Sequence, residues 1–262
     1  MKVAFFDIDG TLIDVGHGLN RPTQETLDAL KAFQKRGNKI IVASARGTLP
    51  KGVDDINFDG YICSDGHYIK LDGEILVDQL FNHQQVQKQI EIYKKYRGRP
   101  MFYGHDYTWC DCYNDELVKK HQMMFQGNTD IPDNAYQEYQ AKDVHAISCC
   151  VLFENKEDLW NAYHELENDF TIVPYELGLI RMDVYCQGFK KGTACQYVYE
   201  KLGIDYEYTY AFGDGVNDLE MFQLVKHSVA MGNAVEELKM IASEQTDTVL
   251  NNGIAKYLNK HI

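Results

Sequence analysis

The chain has 262 residues and a formal net charge of −13, enough length for one large domain or a core domain plus a smaller one. The acidic balance argues against a nucleic-acid surface, which needs concentrated positive charge, yet leaves room for a small anionic ligand in a local positive pocket. With 45% hydrophobic and 25% charged residues, and no apolar run approaching bilayer length, the composition is that of a soluble globular protein without a membrane span.

The opening MKVAFFDIDG has a short apolar run ending in an acid, unlike a signal peptide, so a cytoplasmic location is expected. Seven cysteines, an odd number without regular spacing, fit reduced thiols better than a disulfide framework. The run KVAFF is apolar on both faces, as in a central parallel strand. Next, TQETLDALKAFQKRG sets Leu27, Leu30 and Phe33 along one helical face and stops at Gly37. KIIVAS predicts a second buried strand, and DGYICSDG a shorter third.

From Phe81 the texture turns more aromatic and polar. QQVQKQIEIYKKYRG and KEDLWNAYHELEND predict helices, while PMFYG, YTWCDCY, DVHAISCCVLF, FTIVPY and IRMDVYC predict strands, several with the alternation of a sheet covered on one side. Near Gln187 the first rhythm resumes with a helix from Thr193, the strand YTYAFGD, a helix from Asn217, the strand SVAM, and a final strand and helix. The expected architecture is therefore α/β: a doubly wound, parallel-sheet, Rossmann-like core over 1–80 and 187–262, with an α+β unit inserted over 81–186.

Open parallel sheets bind ligands beyond the carboxyl ends of their strands. The residues there are Asp7 and Asp9, Ser44, and Asp214 with Asp218. Several carboxylates converging on one rim repel one another unless a cation lies between them, and such oxygen donors suit Mg²⁺. CDC at Cys110–Cys112 and CC at Cys149 and Cys150 read as buried thiols, with Trp109 and Asp111 alternating against the first pair along a strand. The nine histidines have no metal-ligand spacing; His17 and His105 fall in loops, and Tyr103, Trp109 and Tyr113 read as core.

DIDGTL at Asp7, SAR at Ser44, FKKGTA around Lys190 and Lys191, and GDGVNDLEM at Gly213 resemble, in order and spacing, the four motifs of the haloacid dehalogenase-like superfamily. The insertion point resembles that of its Cof-type phosphatase branch, with an α/β cap. The resemblance implies a Mg²⁺-dependent phosphatase of small phosphorylated metabolites, sugar phosphates first and phosphorylated cofactors such as pyridoxal or flavin phosphates second. It implies Asp7 as nucleophile and an aspartyl-phosphate intermediate, with Asp9, two residues along, as acid and base. Mg²⁺ would be held by Asp7, the Asp9 carbonyl and Asp214, with Asp218 and Asn217 supporting. Ser44 and Lys191 would bind phosphoryl oxygens, and Ser44 stands where the family commonly has threonine.

Arg46 leaves two readings, a substrate contact or a pair with a surface acid, and Asp65 and His67 either face the cleft or form a turn. The substrate-binding candidates are thus Ser44, Arg46, Lys191 and Asn217. Of the adjacent lysines, Lys191 precedes the motif glycine at the start of a helix, whereas Lys190 is expected in solvent. A phosphomutase using the same covalent chemistry and a catalytically silent ligand sensor are the alternatives, and the intact Asp7, Asp9, Lys191 and Asp214 weigh against the second. The oligomeric state is left open.

Overall fold

A computed structural model describes residues 1–261. In chain order its elements are β1 (Val3–Phe6), α1 (Gln24–Lys35), β2 (Lys39–Ala43), β3 (Gly60–Cys63), β4 (Tyr68–Leu71), β5 (Glu74–Asp78), α2 (His83–Lys95), β6 (Arg99–Tyr103), β7 (Thr108–Trp109) and α3 (Glu116–Gln126). There follow β8 (Ala135–Tyr136), β9 (Ser148–Leu152), α4 (Lys156–Leu166), β10 (Phe170–Tyr175), β11 (Arg181–Cys186), α5 (Lys191–Lys201) and β12 (Thr209–Gly213). The last are α6 (Leu219–Gln223), β13 (His227–Ala230), α7 (Glu236–Ile241), β14 (Glu244–Gln245) and α8 (Gly253–His261). The chain divides into two compact units, Met1–Val77 with Phe189–Ile262, and Asp78–Gly188.

The first unit is built on an eight-stranded sheet in the order β14-β13-β12-β1-β2-β3-β4-β5. It is parallel from β14 to β3, and β4 then joins β3 antiparallel, so the expected all-parallel sheet has an antiparallel margin that the sequence reading did not include. Its central strands are apolar throughout because each face is covered by helices. Ala4 and Phe6 of β1 pack with Leu30 and Phe33 of α1 and Tyr257 and Leu258 of α8, while Val3 and Phe5 pack with Val198 of α5, Phe222 of α6 and Leu238 of α7. Phe6 and Phe212, in register on neighbouring strands, stack at 4.9 Å. Helix α1 starts where the Thr23 side chain accepts the Thr26 N–H, and Gly37, at φ +80°, lets the chain turn away beyond it.

The second unit is a six-stranded sheet, β10-β11-β9-β6-β7-β8, antiparallel except for the short β7/β8 pair. Alternate residues of β9 enter two cores: Cys149 and Val151 pack among Leu159, Ala162 and Leu166 of α4, and Cys150 and Leu152 pack with Val118 of α3. The sheet is thus covered on both faces, where coverage on one was expected, because α3 went unrecognised in the sequence. A further difference concerns YTWCDCY, of which only Thr108–Trp109 is strand. Trp109 and Cys110 are both buried, so the predicted alternation does not run through this segment. Every cysteine is an unbridged thiol, and Cys110 and Cys112 bring their sulfurs to 3.5 Å.

Candidate active site

The ends of β1 and β12 carry Asp7 and Asp214, two of the acids that the strand-end rule selects. Asp7 extends the ladder by donating its N–H to the Phe212 carbonyl at 3.0 Å. The chain then folds into a tight turn, with the N–H groups of Thr11, Leu12 and Ile13 all donating to the Ile8 carbonyl. Thr11 Oγ1 donates to Asp214 Oδ1 at 3.1 Å, tying this turn to β12. Gly10, at φ +79°, is pressed against the same carboxylate: a Cβ there would lie 2.0 Å from Asp214 Oδ2. Gly10→Ala is therefore expected to lose phosphate release and to cost about 1–3 kcal/mol or more of stability, from backbone strain plus the clash. Gly18 shares the conformation, at φ +80°, with nothing within 4 Å, so Gly18→Ala should keep its activity. Thermal melts and phosphate assays of the two variants side by side check both.

Lys191 is the first residue of α5, and only 2% of it is exposed. Its Nζ donates to Asp7 Oδ1 and to Asp218 Oδ1, both at 2.6 Å, while Lys190 beside it is exposed. Asp218 is fully buried, and its other oxygen accepts the N–H groups of Asp214 and Gly215 at 2.9 and 3.0 Å. It thereby holds the loop after β12 as well as the lysine. Asp7, Asp214 and Asp218 can each bring an oxygen within 4.8 Å of the others.

The charges are out of balance. Burial, followed by the attraction of Lys191 pulling the other way and then repulsion from Asp218 and Asp214, leaves the Asp7 carboxyl well above its usual range. Asp214 is pushed up to about 7, chiefly by burial and then by Asp218. Burial opposes the charge on Lys191, but Asp218, Asp7 and Asp65 together hold its ammonium well above the ordinary lysine value. Asp7 and Asp214 bind protons tightly because they are buried and have acidic neighbours, and Lys191 does so because three carboxylates face it. An all-oxygen acidic set short of positive charge fits a hard divalent cation.

Ser44 is buried at the end of β2, its Oγ accepting the Arg46 N–H at 3.1 Å. The Nε and Nη2 of Arg46 grip both oxygens of Asp9, each at 2.7 Å. The turn after Asp7 sends the Asp9 side chain, 45% exposed, to this guanidinium, rather than to Lys191 beside Asp7. Its charge still bears on Asp214. A partly exposed pair of this kind is worth at most about 1 kcal/mol of stability. Asn217 is half-buried in the one-turn helix Val216–Asp218.

Asp65 lies in a tight turn, Ser64–Gly66, at φ +50°, and donates its N–H to the Ser44 carbonyl. It shapes a turn, and its buried carboxyl adds to the field on Lys191. His67 is fully buried, with Nδ1 2.8 Å from the Ser64 carbonyl. Asn233 was not anticipated. Its Nδ2 donates to the Gly10 carbonyl at 2.8 Å and its Oδ1 accepts the Val249 N–H, locking the turn that carries Asp9. It sits just past β13, a strand end from which the sequence reading drew no site residue.

At the carboxyl edge of this parallel sheet, three carboxylates and one buried lysine thus come together in a doubly wound α/β core. The chain belongs to the haloacid dehalogenase-like hydrolases, whose family model matches residues 4–258, and within them to the Cof-type phosphatases. It is 29% identical to YkrA of Bacillus subtilis (strain 168), over 97% of this chain and 95% of that protein, and 26% identical to the phosphatase YwpJ of the same organism, over the whole of both. Among solved structures, it resembles the HAD subclass IIB sugar phosphatase BT4131 with a TM-score of 0.83 and 26% identity, covering 99% of this chain and 98% of that one. Among the described residues, no helix is long and apolar enough to cross a membrane.

Proposed function

We propose that the chain is a Mg²⁺-dependent phosphatase of small phosphorylated metabolites, working through a phosphorylated Asp7. The observation that carries this is Lys191 Nζ bridging Asp7 and Asp218 at 2.6 Å beside Asp214. Asp7 attacks phosphorus and the P–O bond to the leaving group breaks. Asp9 gives its proton to the departing alkoxide, then takes one from the water that attacks the aspartyl phosphate, which releases inorganic phosphate and frees Asp7. Lys191 and Ser44 receive phosphoryl oxygens, with the start of α5 adding its N–H groups. Asp7, the Asp9 carbonyl and Asp214 would hold the cation, braced by Asp218 and Asn217. When bound, it supplies the counter-charge that lets an anionic nucleophile meet a phosphate dianion.

Substrate choice is assigned to the inserted unit, which contains a cavity of about 640 Å³ lined by Trp109, Tyr136, Tyr139 and His145 among others, suited to a ring. Together with the similarity to a sugar phosphatase, this supports sugar phosphates first and phosphorylated ring cofactors second. The test is release of inorganic phosphate from a panel of such esters, with Mg²⁺ and with a chelator. Turnover that survives chelation, or no turnover on any ester, would overturn the reading.

The cation site has a readout independent of activity. The Asp214 carboxyl is raised from its ordinary value of 3.8 to about 7 in the folded chain. Its stabilising contribution is full below about pH 4 and lost as pH rises through about 7, because the folded state binds the proton more tightly than the unfolded state. Without divalent cation, the Tm should therefore fall between about pH 5.5 and pH 8, and added Mg²⁺ should raise it more at the higher pH. A larger Mg²⁺ shift at the acidic pH would refute the assignment.

A further inference from the structure

We infer that Arg46 is a positioning residue for Asp9, holding the acid/base carboxylate in place, and not a ligand for the substrate phosphate. The inference rests on the reading of Asp9 as the proton donor. Three observations carry it. The guanidinium meets Asp9 as a fork, Nε to Oδ2 and Nη2 to Oδ1 at 2.7 Å each, which fixes the direction as well as the distance of the carboxylate. The backbone of Arg46 is itself anchored on both sides: its N–H donates to Ser44 Oγ at 3.1 Å, and its carbonyl accepts the Ser64 N–H at 2.8 Å. The two cations also bond different acids, Lys191 meeting Asp7 and Asp218 while Arg46 meets Asp9.

That division matters to the chemistry. With no cation of its own, the Asp9 carboxylate would be drawn toward Lys191, which the nucleophile needs. Arg46 keeps it aside and oriented. Lysine could not copy this, because an ammonium is a point charge without the planar fork. Asn233 serves the same end from the other side, by holding the Gly10 carbonyl of the turn on which Asp9 rides.

The test compares kcat/KM, which reports the first phosphoryl transfer, for para-nitrophenyl phosphate and phenyl phosphate, whose leaving groups differ in their need for a proton. Asp9→Asn, Arg46→Ala, Arg46→Lys and the double variant Asp9→Asn/Arg46→Ala are measured with saturating Mg²⁺, and inhibition by inorganic phosphate serves as the binding readout. Arg46→Ala should slow phenyl phosphate about tenfold or more and para-nitrophenyl phosphate less than about threefold, since only the poorer leaving group depends on a well-placed acid. Arg46→Lys should recover part of the loss, phosphate inhibition should be unchanged, and Arg46→Ala should add less than about twofold in the Asp9→Asn background.

If Asp9→Asn itself slows both esters equally, the acid reading of Asp9 fails and this role falls with it. Should Asp9→Asn discriminate between the esters while Arg46→Ala slows both equally, weakens phosphate inhibition or multiplies fully in the double variant, the inference alone is overturned and Arg46 is a substrate ligand.

Discussion

Asp7→Asn is expected to abolish turnover while leaving the protein at least as stable as the parent in the absence of divalent cation. The two halves have one origin. Asp7 is buried, and its carboxyl is held well above its usual range by burial and by Asp218 and Asp214, against the pull of Lys191. Replacing it with a neutral amide of the same shape removes one member of an overcrowded acidic set, and the amide oxygen can still accept from Lys191 Nζ, 2.6 Å away in the parent. The amide, however, has no lone pair fit to attack phosphorus, and the cation site loses an anionic donor. Phosphate release should fall to background on every ester, with the Tm near pH 8 without Mg²⁺ equal to or above that of the parent. A folded variant that still releases phosphate at a substantial rate, its introduced amide shown by mass spectrometry not to have reverted to the acid, would remove Asp7 as nucleophile.

Much of the core was legible because buried parallel strands leave a plain signal. VAFF, KIIVA and TYAFG are apolar on both faces, and each is followed directly by a polar residue at the site or by the loop that bears one. What escaped had weaker periodicity or depended on distance. Helix α3 buries Val118, His121 and Gln122 while exposing Met123 and Met124, so its inward face is partly polar and its outward face partly apolar. No hydrophobic stripe marks it. The β4/β5 margin was missed because β5 is largely exposed, and α7 because it spans six residues. At the site, residue types could be read locally but pairings could not. DIDGTL places two acids near one strand end, yet which cation each would take depends on a lysine 184 positions from Asp7 and an arginine 37 positions from Asp9.

Lys191→Ala should lower kcat/KM by about a hundredfold or more, and Lys190→Ala by less than about threefold, the first being the scale of a lost preorganised transition-state contact. The adjacent lysines differ in every physical respect that matters. Lys190 is exposed, and its backbone caps α5, the N–H donating to Thr193 Oγ1 at 2.9 Å, a bond that alanine at position 190 would keep. Lys191 is buried, bonded to Asp7 and Asp218, and held strongly protonated by them and Asp65. Its removal strands two buried carboxylates, which in general costs about 3–5 kcal/mol. Lys191→Ala should therefore also melt at a lower temperature, the loss shrinking at acidic pH, where Asp7, its carboxyl held above the usual range, takes up a proton, and in saturating Mg²⁺. Kinetics must be compared below that transition, with circular dichroism confirming the fold. Equal losses for the two lysines, or the greater loss for Lys190→Ala, would show that the ammonium bridging Asp7 and Asp218 holds the fold together without entering the reaction.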